Sequence, residues 1–406
     1  MRRILFHESS LNGKVGGSHH SLLLLVKQLN QAKYEKVVVF NSDMALRSEF
    51  EKHCKVIIWK GLSAAHFAGL GSREGWNGKF RSLPGLMGNA ANTFYRSSRM
   101  FYNDILLGTK VICDYALLLK REKSDLFHQN NSFDPYWNVA ARICGVPAVQ
   151  HIRGVSGTTT YAPFCHLSAK VICISESVKT RILELGIDPK KVVRIYNAVD
   201  CRTFRPTRDP QDVRAELGVG PSEHLVSLFG NIQQWKGQIT LAEASVHLRK
   251  KYKGIRCVLF GEIIEQDYAE EIKRLIHAKG LEDVVLFAGY KSDVANWMNA
   301  SDVIVHASIK PEPFGRVLIE AMTIGKPVIG AGIGAVPEIV ENRVSGLLFQ
   351  PGDHGQLCDQ IDFLLSHPDE AERLGKNAAC RIRKLFDVQQ QISAIESLYE
   401  DIFNRR

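Results

Sequence analysis

At 406 residues the chain is longer than one hydrophobic core ordinarily serves, so two domains of about 200 residues each are expected. Hydrophobic residues make up 45% and glycine fills 32 positions, which excludes a disordered chain and suits a glycine-looped α/β enzyme. Nine cysteines lie scattered without a C-x-x-C pair, which excludes a disulfide framework and a zinc site and points to a reducing, cytoplasmic setting.

The net charge of +9 arises wholly in residues 1–120, where 17 basic residues outnumber 8 acidic ones. Such a face suits nucleic acid, anionic lipid or acidic glycan, and equally a plain solvated surface, and composition alone does not choose among them. The apolar run at 4–6 is too short for a signal peptide, and no stretch reaches the roughly 18 apolar residues that span a bilayer.

Residues 3–7 predict a first strand, followed by a glycine loop with Gly13, Gly16 and Gly17 and a helix carrying residues 22–26. Strand, glycine loop and helix open a doubly wound domain, although G-x-G-x-x-G is missing. Further strands are predicted at 37–40 and 56–59. Between 60 and 110 the periodicity weakens, and Trp76, Phe80, Phe94, Tyr95, Phe101 and Tyr102 interleave with 7 basic and 2 acidic residues. Two readings stand for this segment: an anionic membrane surface as partner, or an acceptor loop with its aromatics packed inward.

The alternation resumes with a helix at 115–121, a strand at 126–128, a helix at 134–144 and a strand at 148–151. His128, Asn130 and His151 fall where strands meet their loops, the ligand edge of an open α/β sheet. Strands at 171–174 and 192–195 close this half.

The second half restarts with an apolar run at 225–229, as a parallel strand buried on both faces requires. The loop 230–237 (GNIQQWKG) follows, then a helix at 241–248, a strand at 257–260, a helix to Lys279 and a strand at 284–287 that leads to Tyr290 and Lys291. A strand at 303–306 feeds the stretch 310–346. There Glu312 stands in a loop, Gly315 opens an apolar helix, and Glu320 lies one to two turns inside it. Gly325 and Pro327 stop that helix, a short strand forms at 328–329, and Gly330, Gly332 and Gly334 lead to a helix near Pro337. Helix N-termini bind phosphate and carboxylates accept from sugar hydroxyls, so this combination suggests a nucleotide-sugar site. After Gly346 the chain is expected to turn helical, ending in an amphipathic helix at 388–403.

The run Glu312-x-Phe314-Gly315 with Glu320, then GKPVI, Val336-Pro337-Glu338-Ile339-Val340 and Gly346-Leu347-Leu348, resembles the signature of retaining glycosyltransferases of the family 4 type (glycosyl transferases group 1). Tyr196-Asn197-Ala198-Val199-Asp200 with Phe204 and Pro206 is similar to that family's linker. The resemblance implies an α/β GT-B fold: two facing Rossmann-like doubly wound domains, an acceptor-binding one at 1–207 and a donor-binding one at 208–385, with a C-terminal helix at 386–406 crossing back to the first.

It also implies transfer of a sugar from a nucleoside-diphosphate sugar to a glycan or lipid-linked acceptor, with neither cofactor nor nucleic acid. Catalytic roles fall to Glu312, His151 and Lys236. Donor binding falls to Gly16, Gly17, Asn231, Lys236, Tyr290, Phe314, Gly315 and Glu320, and the acceptor side to His128 and Asn130. Asn231 stands where the family commonly has arginine. No D-x-D triplet occurs, so no divalent metal is expected. The competing readings are a sugar-nucleotide epimerase and a basic lipid-binding module.

Overall fold

The computed structural model describes residues 1–8, 15–61, 107–131, 134–154 and 165–405. The basic aromatic segment read from the sequence falls mostly at 62–106, outside the described residues. The chain divides into two compact units, one made of Met1–Cys173, Val178–Arg194 and Glu396–Arg406, the other of Ile174–Ser177 and Ile195–Ile395.

The first unit holds a seven-stranded parallel sheet in the order β3-β2-β1-β4-β5-β6-β7. Its strands are β1 (Arg2–Glu8), β2 (Tyr34–Phe40), β3 (Lys55–Ile58), β4 (Leu126–Asn130), β5 (Ala148–Ile152), β6 (Lys170–Cys173) and β7 (Val192–Arg194). β1, β2 and β4 are nearly continuous buried runs, as strands covered on both faces must be. Helices Gly108–Arg121 and Pro135–Ile143 pack together over Leu5, Val39 and Phe127, with Tyr115 stacked on Trp137 at 3.8 Å. The Tyr115 hydroxyl donates to Asp134 at 2.9 Å, and Asp134 in turn caps the helix that begins at Pro135. The helix at 115–121 expected from sequence therefore begins earlier, at Gly108.

The second unit holds a six-stranded parallel sheet in the order β10-β9-β8-β11-β12-β13. Here β8 is His224–Phe229, β9 Ile255–Phe260, β10 Val285–Gly289, β11 Val303–His306, β12 Val328–Ala331 and β13 Leu347–Phe349. The last strand corrects the sequence reading, in which the chain turned helical straight after Gly346. Leu347 and Phe349 are buried and pair with Ile329 and Ala331, but three residues are too few to display a period.

Both sheets reverse their winding once, between β1 and β4 in the first unit and between β8 and β11 in the second. Adjacent connections there leave toward opposite sides, and a crevice opens beyond the carboxyl ends of the strands. No helix among the described residues is long and apolar enough to cross a membrane.

Candidate active site

At the reversal point of the second sheet β8 ends in Phe229 and β11 in His306. The loop after β8 folds as a 3-10 turn, Gln234–Lys236, closed by Gly237 at φ +66°. A Cβ on Gly237 would stand 2.1 Å from the Ala307 carbonyl oxygen, so only glycine lets this loop approach the segment after β11. The Ile309 amide donates to the Trp235 carbonyl at 2.9 Å and fastens the two loops. Lys236 is thereby carried to Glu312, with 2.7 Å between Nζ and Oε2, while its ammonium also lies 3.9 Å from the centre of the Trp235 ring.

Glu312 is 8% exposed. The same Oε2 accepts from the Ser308 hydroxyl at 3.0 Å and lies 3.2 Å from His306 Nε2. Burial by itself would raise the carboxyl's pKa. The Lys236 charge and the His306 hydrogen bond outweigh it and hold Glu312 well below the usual carboxylate range. At neutral pH Glu312 is therefore a fixed negative charge and a hydrogen-bond acceptor, unsuited to giving up a proton.

Its backbone is equally constrained. Gly334, at φ +63°, would bring a Cβ within 2.4 Å of the Glu312 carbonyl oxygen, which accepts from the Ala335 amide at 2.9 Å. Just beyond, Gly315 at φ +105° turns the chain into helix Arg316–Thr323, whose first amides have no side-chain cap. A helix start of this kind offers N–H groups to an anion. Phe314 is buried, with its ring against Tyr196 and Phe386, so only its backbone faces the turn. Glu320, inside the helix, accepts from Arg316 at 2.7 Å. Gly325 at φ +76° ends the helix, as its sequence position requires. Tyr290 is 62% exposed, and Asn231 is exposed with its carbonyl taking a hydrogen bond from Gln238.

The first unit has its own polar cluster at the β1/β4 reversal. Glu8, Asn130 and His151 stand abreast in register on β1, β4 and β5. Glu8 is 1% exposed and accepts from Ser18 at 2.9 Å and from the Asn130 amide. Asn130 Oδ1 accepts from Arg153 Nε at 2.7 Å. His128 and His151 are both fully buried, with 3.2 Å between His128 Nε2 and His151 Nδ1, and the Tyr399 hydroxyl lies 2.6 Å from His128 Nδ1. Gly16 caps helix Gly17–Gln28, with its amide bonded to His19 Nδ1 at 3.0 Å.

Burial pushes the Glu8 carboxyl up to about 7, against the opposing hydrogen bonds of Asn130 and Ser18 and the charge of Arg153. A carboxyl whose folded pKa exceeds its unfolded one binds more protons when folded, so its contribution to stability declines as pH rises from about 4.5 to about 7. Burial lowers His7 to about 4 and His128 to about 3, and these act in the opposite sense, since the unfolded chain then binds more protons. A wild-type minus Glu8→Gln difference isolates the carboxyl. Between pH 5 and pH 8 that difference should move about 2.5 kcal/mol in favour of the variant. Urea melts across this range that keep a constant difference would show that Glu8 titrates normally.

Two family profiles match almost end to end. The one described as Glycosyltransferase Family 4 covers residues 15–203, and Glycosyl transferases group 1 covers residues 210–381. The chain belongs to the GT-B glycosyltransferases of the family 4 type.

Among curated relatives of this glycosyltransferase family member, N-acetyl-alpha-D-glucosaminyl L-malate synthase of Bacillus anthracis is 28% identical over 57% of this chain and 59% of its own length. UDP-Gal:alpha-D-GlcNAc-diphosphoundecaprenol alpha-1,3-galactosyltransferase of Escherichia coli is 26% identical over 70% of this chain and 77% of its own. The match thus spans less than two thirds of the Bacillus relative. Among solved structures, Anabaena HepE in complex with UDP and glucose superposes with a TM-score of 0.79 at 25% identity, covering 98% of this chain and all of that one.

Of the residues singled out from sequence, the family member's second unit brings Lys236 and Glu312 into direct contact, one turn away from the Gly315 helix start. Its first unit brings His128, Asn130 and His151 together below the surface. Sequence reasoning missed Glu8, Arg153, His306, Ser308 and Arg316. Each of the first four stands at or just beyond a strand end, and that position is the signal that could have found them.

Proposed function

We propose that this family 4 chain transfers a sugar from a nucleoside-diphosphate sugar to a hydroxyl of a glycan or lipid-linked acceptor, with retention of configuration. The carrying observation is the half-buried Lys236 paired with the buried Glu312 beside the uncapped start of helix Arg316–Thr323. Departure of a nucleoside diphosphate builds negative charge on phosphate oxygens and positive charge on the sugar ring. Lys236 and the helix amides meet the first, and the permanently ionised Glu312 meets the second while accepting from a sugar hydroxyl. These groups act in place of a divalent cation. Glu312 stands in the loop before helix Arg316–Thr323 and is paired with Lys236, and Glu320 lies inside the helix and is paired with Arg316, so this reading gives neither carboxylate the nucleophile role of a retaining glycosidase. A donor phosphate oxygen then takes the acceptor proton.

The UDP and glucose held by the Anabaena neighbour support a nucleotide-sugar donor. The galactosyltransferase relative, named for a diphosphoundecaprenol acceptor, supports a lipid-linked one. Residues 60–110 are the proposed contact with an anionic membrane surface, which vesicle sedimentation would test.

Glu320 would accept the ribose hydroxyls, exchanging part of its Arg316 bond for them. In a thermal-shift panel of UDP-, GDP- and ADP-sugars, one nucleotide at 100 times its dissociation constant should add about 2.7 kcal/mol of apparent stability to the wild type. The gain should largely vanish in Glu320→Ala. If all three sugars leave the wild type unmoved, the donor assignment fails.

A further inference from the structure

The proton directions in the first unit's histidine cluster are set at one point by an arginine. A guanidinium carries donors and no acceptor. Arg153 Nη2 lies 3.4 Å from His151 Nδ1, so that nitrogen must hold a lone pair. Burial and the neighbouring Arg153 charge keep the His151 ring neutral, and its single proton therefore sits on Nε2. His128 Nε2 points at the same lone pair from 3.2 Å and must also donate. That leaves His128 Nδ1 as the acceptor for the Tyr399 hydroxyl at 2.6 Å. Every donor in the series points toward His151. The last of them, His151 Nε2–H, is buried and meets no acceptor among the described residues.

We propose that Tyr399, His128 and Arg153 are positioning residues that hold His151 as the Nε2–H tautomer, so that His151 donates a hydrogen bond to an oxygen of the bound ligand and does not act as a base. A base would need its lone pair on Nε2, the nitrogen left without a partner, and here the lone pair is on Nδ1, facing Arg153 and His128. A buried N–H without a partner is unfavourable, and a sugar hydroxyl or phosphate oxygen relieves it. The nature of that oxygen rests on the proposed glycosyl transfer, whereas the proton directions do not.

The test begins without substrate. Histidine labelled with 15N at both ring positions reports the protonated nitrogen through two-bond correlations, with the two rings assigned from His128→Gln and His151→Gln. The expected spectrum of the unliganded protein shows both rings neutral at pH 7 with the proton on Nε2. A His151 proton on Nδ1 overturns the proposal. Removing both outer anchors in the pair Tyr399→Phe, Arg153→Met should let the His151 ring exchange between tautomers, and a single unchanged tautomer would remove the positioning role.

Turnover of the sugar donor supplies the second readout. His151→Gln keeps an N–H and His151→Leu keeps none, so the leucine variant should have a kcat about tenfold below the glutamine variant, the loss of one buried hydrogen bond. Equal losses would remove the donor role. If the wild type turns over no donor at all, the transferase reading falls while the spectra still decide the tautomer.

Discussion

Lys236→Met is expected to lower sugar transfer by about 10²–10³-fold and to destabilise the second unit by about 3 kcal/mol at pH 7. Methionine keeps an unbranched side chain one atom shorter and removes the ammonium that meets Trp235 and Glu312. Glu312, 8% exposed, would then rest on Ser308 and His306 alone. A buried carboxylate stripped of its cation is one of the costlier single losses in a protein.

The pH dependence carries the signature. In the wild type the Glu312 pKa is depressed, so the pair's contribution is complete above about 4.5 and is lost only as pH falls through a value well below the usual carboxylate range. In the variant burial acts without the opposing charge and the carboxyl takes up a proton under mild acid. The deficit relative to wild type should therefore shrink between pH 7 and pH 5. Urea unfolding at both values measures it, and a deficit that ignores pH would mean that the ion pair is not its source.

Gly334→Ala is expected to cost about 3–5 kcal/mol and to abolish donor binding. The added methyl would meet the Glu312 nitrogen at 2.5 Å and its carbonyl oxygen at 2.4 Å, on a backbone already at φ +63°. Neither side can give way cheaply, because the Ala335 amide ties the two strands of the turn together at 2.9 Å. Gly352→Ala is the matched control. Its φ is +80° but nothing lies within 4 Å of the new methyl, so only the backbone cost of about 1–2 kcal/mol applies. Equal losses in the two variants would remove the argument that Gly334 exists to let Glu312 approach.

What could be read from the sequence follows from how far apart the interacting residues lie. β1, β8 and β11 are runs of apolar side chains covered on both faces, and such runs identify themselves locally. The glycines at 237, 315 and 325 mark turns that need positive φ, and they too are local. Glu8 is different. As the last residue of β1 it looks like a strand terminator, and its buried partner Asn130 is 122 residues away. Tyr399 shows as part of an apolar helical stripe, which foretells its burial but not a hydroxyl bonded to a histidine 271 residues earlier. Lys236 and Glu312 were each marked by resemblance to a family, yet their ion pair exists only because β8 and β11 are neighbours in the sheet. Strand order, set by the winding of the whole sheet, is the information that local patterns lack.

The segment Glu396–Arg406 is part of the first unit, although the whole second unit intervenes in the chain. During synthesis this has a temporal consequence. When residue 194 leaves the ribosome, the first sheet has all seven strands but still lacks Tyr399, and with it the covering of His128 and Tyr34. A nascent chain must therefore wait through about 200 further residues, some 10–40 seconds at bacterial or eukaryotic elongation rates, with that apolar surface open to chaperones and to other chains. Premature termination close to residue 395 would release a polypeptide whose later-made unit is complete and whose earliest-made unit is the part left unfinished.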